Sequence, residues 1–166
     1  MKIVGIDPGK TGGLCCMDEN TIIEVCVMPT RTLKSGKDII DFKLVAEFIK
    51  KHNPDKIYLE QVSVGLLGGR VSMFQFGGSY YGLMATCEVL KFLLVYKFEL
   101  FLVLPQRWKK CVLGEDYNHE DKQGTMKFCK EKFPNTNFLA TKRSRVFHDG
   151  ICDATAIAYY GFLNEE

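Results

Sequence analysis

The chain has 166 residues, of which 46% are hydrophobic and 25% charged, and its net charge is +2. That profile fits one globular domain spanning residues 1–166 and excludes a disordered, collagenous or disulfide-scaffold chain. Total charge does not mark a polyanion binder, yet Pro105 to Arg145 holds ten Lys/Arg against five Asp/Glu, a local excess that a phosphate-binding surface needs.

In chain order, Lys2 to Asp7 reads as a short buried strand that ends on an acid, followed by the turn Pro8-Gly9-Lys10-Thr11-Gly12-Gly13. Leu14 to Met17 and Thr21 to Met28 read as a hairpin turned by Asp18-Glu19-Asn20. Pro29 to Lys37 reads as a loop with three cations. Asp38 to His52 carries helical periodicity, with Ile39, Phe42, Val45, Phe48 and Ile49 on one face. Lys50, Lys51 and His52 suit the negative end of that helix, and Pro54 stops it.

Lys56 to Val62 is a strand with Glu60 near its end, and Ser63 to Val71 a glycine-rich loop. Phe74 to Leu94 is a helix whose Gly77, Gly78, Ser79 and Gly82 allow close backbone approach. Phe98 to Leu104 is a strand, Pro105 to Lys110 a short helix, Gly114 to Asn118 a polar loop and His119 to Phe133 an amphipathic helix. A basic loop, Pro134 to Phe147, leads into a final apolar helix from Asp149 to Phe162. The order βββ-α-β-α-β-α-α-α implies an α/β fold with a mixed sheet and helices on its faces.

Leu83 to Leu104 is very apolar, but Glu88, Lys91, Lys97 and Glu99 interrupt it, so a buried helix followed by a buried strand is expected and no membrane span. Met1 to Asp7 has no signal-peptide pattern. Seven cysteines (15, 16, 26, 87, 111, 129 and 152) sit mostly inside apolar patterns and form no CxxC pair. Reduced core thiols in an intracellular protein are therefore expected, with no zinc site.

Four acids stand in unusual places. Asp7 and Glu60 end apolar strands, and Asp149 and Asp153 lie four apart on the first turn of an apolar helix, on one face. Like charges on a buried face repel unless a cation lies between them. Four convergent carboxylates suit Mg²⁺, and two such ions ~4 Å apart can clamp an in-line phosphodiester displacement. Each acid also has a plainer reading. Asp7 can open the turn, Asp149 can cap the helix, and Asp153 can complement the helix dipole. Glu60, inside an apolar strand, has the weakest such excuse.

The motifs Lys2-Ile3-Val4-Gly5-Ile6-Asp7-Pro8-Gly9, Tyr58-Leu59-Glu60-Gln61-Val62 and His148-Asp149-Gly150-Ile151-Cys152-Asp153-Ala154 together resemble the RuvC-type Holliday junction resolvases, in particular their phage and viral branch. The resemblance spans nearly the whole chain. It implies a ribonuclease H-like fold, with a five-stranded mixed sheet and helices on both faces, in a single RuvC-like nuclease domain. It also implies a homodimer that nicks a four-way junction symmetrically with two Mg²⁺ ions (or Mn²⁺) per site and no small-molecule cofactor. Such a protein would work in the cytoplasm, the host's if the source is a phage or virus.

By position, the resemblance makes Asp7, Glu60, Asp149 and Asp153 the metal ligands and Lys122 a catalytic cation near the scissile phosphate. It makes Lys109 a DNA-binding residue and Phe74 to Leu94 the dimer helix. The cations Arg107, Lys110, Lys142, Arg143 and Arg145 would join Lys109 and Lys122 in holding DNA arms. The lone tryptophan, Trp108, would anchor its helix or stack on DNA.

Two departures stand out. Bacterial members space their last two ligands three apart, which from Asp153 would fall on Gly150, so Asp149 takes the role, with His148 as an alternative ligand or base. The aromatic that stacks on bases in those members is Ser63 here; Phe74 or Phe76 could replace it or pack in the core or dimer.

A branch nuclease acting on flaps, Y-junctions or replication forks is a close alternative. A sugar-kinase-type phosphotransferase would need a second acidic glycine repeat, which is absent. A DNA-binding protein that had lost activity should lack at least one of the four acids.

Overall fold

A computed structural model describes residues 1–61, 70–93, 97–115, 117 and 123–164, with side chains omitted at 70–72. The elements are β1 (Lys2–Asp7), β2 (Gly13–Asp18), β3 (Thr21–Val27), β4 (Thr30–Thr32), β5 (Asp38–Ile40), α1 (Phe42–His52), β6 (Lys56–Glu60), α2 (Arg70–Leu93), β7 (Glu99–Val103), α3 (Pro105–Leu113), α4 (Gly124–Lys132) and α5 (Asp149–Leu163). The main sheet has the order β3-β2-β1-β6-β7. β1 pairs antiparallel with β2 and parallel with β6, and β6 pairs parallel with β7. This is the expected five-stranded mixed sheet.

Alternation along the strands divides the core in two. Val4, Ile6, Ile57 and Leu59 turn to one face, where they pack with Val45, Phe48 and Ile49 of α1 and Leu83 and Cys87 of α2. Ile3, Cys15, Met17 and Tyr58 turn to the other, against α5, Trp108 of α3 and Cys129 of α4. Helices therefore cover both faces. By the same period of two, Asp7 follows Ile3 and Gly5, and Glu60 follows Tyr58, onto the α5 face. The two acids stand at the carboxyl ends of adjacent parallel strands, where open α/β sheets bind ligands.

Several sequence-based boundaries shift. The loop expected at 29–37 contributes β4, which pairs with β5 through Thr30↔Ile40 and Thr32↔Asp38. Its turn is closed by the Leu33 and Gly36 amides, with Gly36 at φ +77°. Asp38–Ile40 is therefore strand and not the first turn of the helix. The helix starts after Asp41, whose carboxylate accepts from the Lys43 and Leu44 amides at 3.1 and 3.3 Å; such a cap contributes ~1 kcal/mol.

β6 ends at Glu60, and α2 begins at Arg70, four residues before the expected start. α3 runs three residues beyond Lys110. α4 is described only from Gly124. The strand end at Val62, Ser63 and the loop to 69, Leu94, and Lys122 with the expected helix start lie outside the described residues. β7 lies at the sheet edge, with Leu102 exposed, and is less buried than its composition suggests. Among the described residues, no helix is long and apolar enough to cross a membrane.

Candidate active site

Glycines set how closely α5 meets the sheet. A Cβ on Gly5 would stand 2.2 Å from the Ala154 carbonyl oxygen, and one on Gly150 would stand 2.3 Å from that of Thr11. Only hydrogen at these positions lets α5 lie directly on β1 and on the turn after Asp7. This packing carries Asp153 to the end of β1. It also gives a steric reason for the four-residue spacing: position 150 touches the turn backbone and has no room for a side chain.

Asp7, Glu60 and Asp153 are each half-buried, enclosed yet open to a ligand. Burial pushes the Asp7 carboxyl well above the usual range, and the charges of Glu60, Asp153 and Asp149 push it further. Burial likewise raises Glu60, with Asp153 adding to it, and raises Asp153, with Asp149 adding to it. The three acids thus share one field, with few compensating groups. Lys109 is the cation that opposes the rise at all three.

Two neutral donors also act on the cluster. The Trp108 indole N–H donates to Glu60 Oε2 at 2.8 Å, and the buried Thr125 hydroxyl hydrogen-bonds Asp153. Both favour the ionised carboxylate and fix its orientation. Trp108 is fully buried, which removes DNA stacking as its role and leaves the anchoring one. Its position follows from α3 opening immediately after β7, beside Glu60, with Val103 as the register partner of Glu60. The sequence signal for it was a lone tryptophan in a cationic helix. Thr125 left no signal.

Asp149 differs from the other three. Its side chain is 72% exposed, and its Oδ1 accepts from the Gly150 amide at 2.9 Å. The helix cap is His148, whose Nδ1 accepts from the Ile151 amide at 3.3 Å. A neutral imidazole that accepts at Nδ1 carries its proton on Nε2. In this arrangement His148 has no free lone pair for a metal or for taking a proton from water.

The cations divide as well. Lys109 is half-buried, its ammonium 5.1 Å from the Trp108 ring centroid and 5.9 Å from that of Tyr117. Arg107 and Lys110 are exposed beside Tyr160 and Asn164, at the opposite end of α5 from Asp149, and Lys110 pairs with Glu115 at 3.0 Å. They are not brought to the carboxylates. Lys142, Arg143 and Arg145 lie exposed on the loop before α5, which the Thr141–Ser144 turn shapes.

The donor set fits a hard divalent cation in kind: carboxylate oxygens only, mutually repelling, with a nearby ammonium that leaves excess negative charge. Among the described residues, no three His, Cys, Asp or Glu side chains stand close enough to hold one ion.

No protein-family model and no curated protein matches the sequence. Solved structures do match the fold. Thermus thermophilus RuvC in complex with a Holliday junction substrate superposes with a TM-score of 0.61 at 14% identity, over 99% of this chain and 95% of that one. A second Thermus thermophilus RuvC structure gives 0.61 at 15% identity, over 99% and 96%. The yeast mitochondrial Holliday junction resolvase gives 0.50 at 14% identity, over 98% and 82%. At such identities the likeness is one of architecture, and over nearly its full length the chain has the fold of these resolvases.

Proposed function

We propose that residues 1–166 form one nuclease domain that cuts branched DNA, resolving four-way junctions by paired nicks with divalent metal ions. The observation that carries this reading is the field shared by Asp7, Glu60 and Asp153 at the carboxyl ends of β1 and β6. Three half-buried acids, each raised by burial and by another acid, destabilise a fold that gains nothing from them unless a cation binds. The architecture of RuvC, solved with a Holliday junction substrate, supplies the substrate class.

Asp7, Glu60 and Asp153 would hold the metal, and Asp149 would complete the set by turning in from its exposed position. When bound, Mg²⁺ or Mn²⁺ supplies Lewis-acid stabilisation of the phosphate and of the oxygens entering and leaving it. Trp108 holds Glu60 in one orientation, and Thr125 does the same for Asp153. Lys109 stands where an ammonium can meet a phosphate oxygen beside the acids, so charge growing on the phosphate finds a positive group already in place. Lys122 is assigned the same kind of role from its sequence position. Lys142, Arg143 and Arg145 would hold the DNA backbone.

Symmetric nicking needs two copies, and α2 offers a surface for the second. Phe74, Tyr81, Val89 and Phe92 are 81%, 68%, 53% and 88% exposed and, at intervals of seven, eight and three residues, fall along one side of the helix as an unpartnered apolar stripe.

The test is cleavage of a labelled immobile four-way junction in Mg²⁺, beside flap, fork and linear duplex controls, with Asp7→Asn in parallel. Paired nicks in the junction, reduced about 10³-fold in Asp7→Asn while binding persists, are expected. Equal cutting of flaps and forks would replace junction resolution with general branch cleavage. No cutting in either Mg²⁺ or Mn²⁺ would sink the nuclease reading.

A further inference from the structure

The helix α4 has two faces with different work. Thr125 and Cys129, four apart, are buried towards α5, and Thr125 holds Asp153. On the outer face Lys127 and Lys130, with the half-buried Met126 between them and the core, line a depression of about 520 Å³, which Arg145, Val146 and Phe147 close from the loop before α5. Its lining carries three cations and no acid. Lys127 and Lys130 are exposed and Arg145 is too.

Among the described residues these three cations form no ion pair within 4 Å. The contrast lies close by. Lys110 is paired with Glu115, and Lys132 lies 5.1 Å from the Tyr159 ring centroid. Glu131 is one turn from Lys127 but neither lines the depression nor pairs with it. Three like charges converging on one hollow repel each other, and an anion there removes that repulsion. The apolar floor of Met126 and Phe147, with Val146 69% exposed beside it, suits the sugar side of a nucleic-acid backbone better than a fully hydrated small ion.

We propose that Lys127, Lys130 and Arg145 form a second phosphate-binding site that grips the backbone of a DNA arm on the outer face of α4. This rests on the nuclease reading and extends it to two residues, Lys127 and Lys130, outside the cations assigned to DNA from sequence position. The site lies about one helix diameter, ~10 Å, from the face that touches Asp153, which is roughly three base-pair rises of 3.4 Å. It would hold duplex flanking the cut and leave the reacting phosphate to the acids and Lys109.

The test is a Lys127→Gln/Lys130→Gln double variant, whose exposed positions leave the core untouched. Junction affinity is measured across a salt series, together with the single-turnover cleavage rate at saturating protein. Two lost phosphate contacts should lower the slope of log K against log salt by about 1.8 and weaken binding about 10- to 100-fold at 0.1 M salt. The saturated cleavage rate should stay within about twofold of wild type.

A variant with wild-type affinity and slope would overturn the site while leaving the nuclease reading intact. Weaker binding with an unchanged slope would overturn it too, since the loss would not be of phosphate contacts. Inorganic phosphate displacing the junction better than chloride at matched ionic strength, in wild type but not in the variant, would support the site, since the ion can compete there only where the junction's own phosphates bind. Wild type that bound no DNA would sink the nuclease reading, and this site with it.

Discussion

Glu24 and Asp7 are both acids on strands of the same sheet, and their surroundings act on them in opposite directions. Glu24 accepts from the Lys51 ammonium and stands 2.9 Å from His52 Nε2. The hydrogen bond from Lys51 holds its carboxyl below the usual range. Asp7 has no cation within ion-pair distance among the described residues, and burial with three neighbouring acids holds it above. A carboxylate whose charge the fold satisfies contributes to stability. One whose charge the fold leaves unsatisfied costs stability, and such groups cluster at functional sites. Glu60 and Asp153 share Asp7's condition in milder form, because each has one neutral donor.

Beyond the loss expected of Asp7→Asn, the largest effect that sharpens this comparison comes from removing such a donor. Trp108→Phe keeps the ring in the core but deletes the N–H that meets Glu60. Glu60 then loses the interaction that lowers its pKa, and its orientation is no longer set. Cleavage should fall by about 10- to 100-fold, as losses of groups supporting metal ligands do. The acidic limb of the pH–rate profile should move to higher pH, because Glu60 then ionises later. A fall in rate with an unmoved limb would reduce Trp108 to core packing.

Next comes the stability of the metal-free protein. A group whose pKa is raised by folding binds its proton more tightly in the native state than in the unfolded chain. Its penalty is absent at low pH and grows as pH rises from the ordinary carboxylate range through the raised native value. Metal-free wild type should therefore lose stability over that interval, and Asp7→Asn should lose less. At neutral pH Asp7→Asn is expected to be more stable by about 0.5–2 kcal/mol, in the manner of stabilising changes at functional sites. Mg²⁺ should raise the Tm of wild type and do so much less for Asp7→Asn. Denaturant titrations at pH 4 and pH 7, with and without Mg²⁺, measure all of this. A less stable Asp7→Asn at pH 7 would mean that Asp7 is a structural acid like Glu24.

How much of this was legible in the sequence follows from which interactions are local. The strands bearing Asp7 and Glu60 announce themselves by short apolar runs that end at an acid, and the period of two places both acids on one face without further information. Asp153 is legible because α5 is apolar all round, so an acid in it needs a reason.

The sequence allows Asp149 to be a ligand or a cap. It is neither cap nor buried, because His148 takes the cap one residue earlier. Ile39 fits the helical spacing of Phe42 and Val45, yet it lies in β5. Pairing with β4 and the Asp41 cap outweighed that periodicity. Thr125 and Trp108 are set by contacts spanning 28 and 48 residues of chain to Asp153 and Glu60, and no spacing rule reaches so far. Lys127 and Lys130 carry no signal of their own in an amphipathic helix, because Arg145, which lines the same depression, comes from a loop 15 residues further along the chain.

The smallest expected effect tests the other side of the comparison. Glu24 is about one-third exposed, so its pair with Lys51 is screened and belongs with surface ion pairs, at about 0.2–1 kcal/mol. Its native pKa is lowered, so that stability is fully present above the unfolded-state value and is lost as pH falls through the lowered native value. Glu24→Gln retains an acceptor for the buried His52 and removes only the charge. The variant should therefore trail wild type by that modest amount at pH 7, and by less as salt rises. The gap should close as pH falls through Glu24's lowered pKa, because wild type then loses the same charge. A gap that stayed constant down to low pH would show Glu24 acting as a shaped acceptor for His52, independent of charge. The contrast with Asp7 would then lie in hydrogen-bond geometry and not in the sign of the surrounding field.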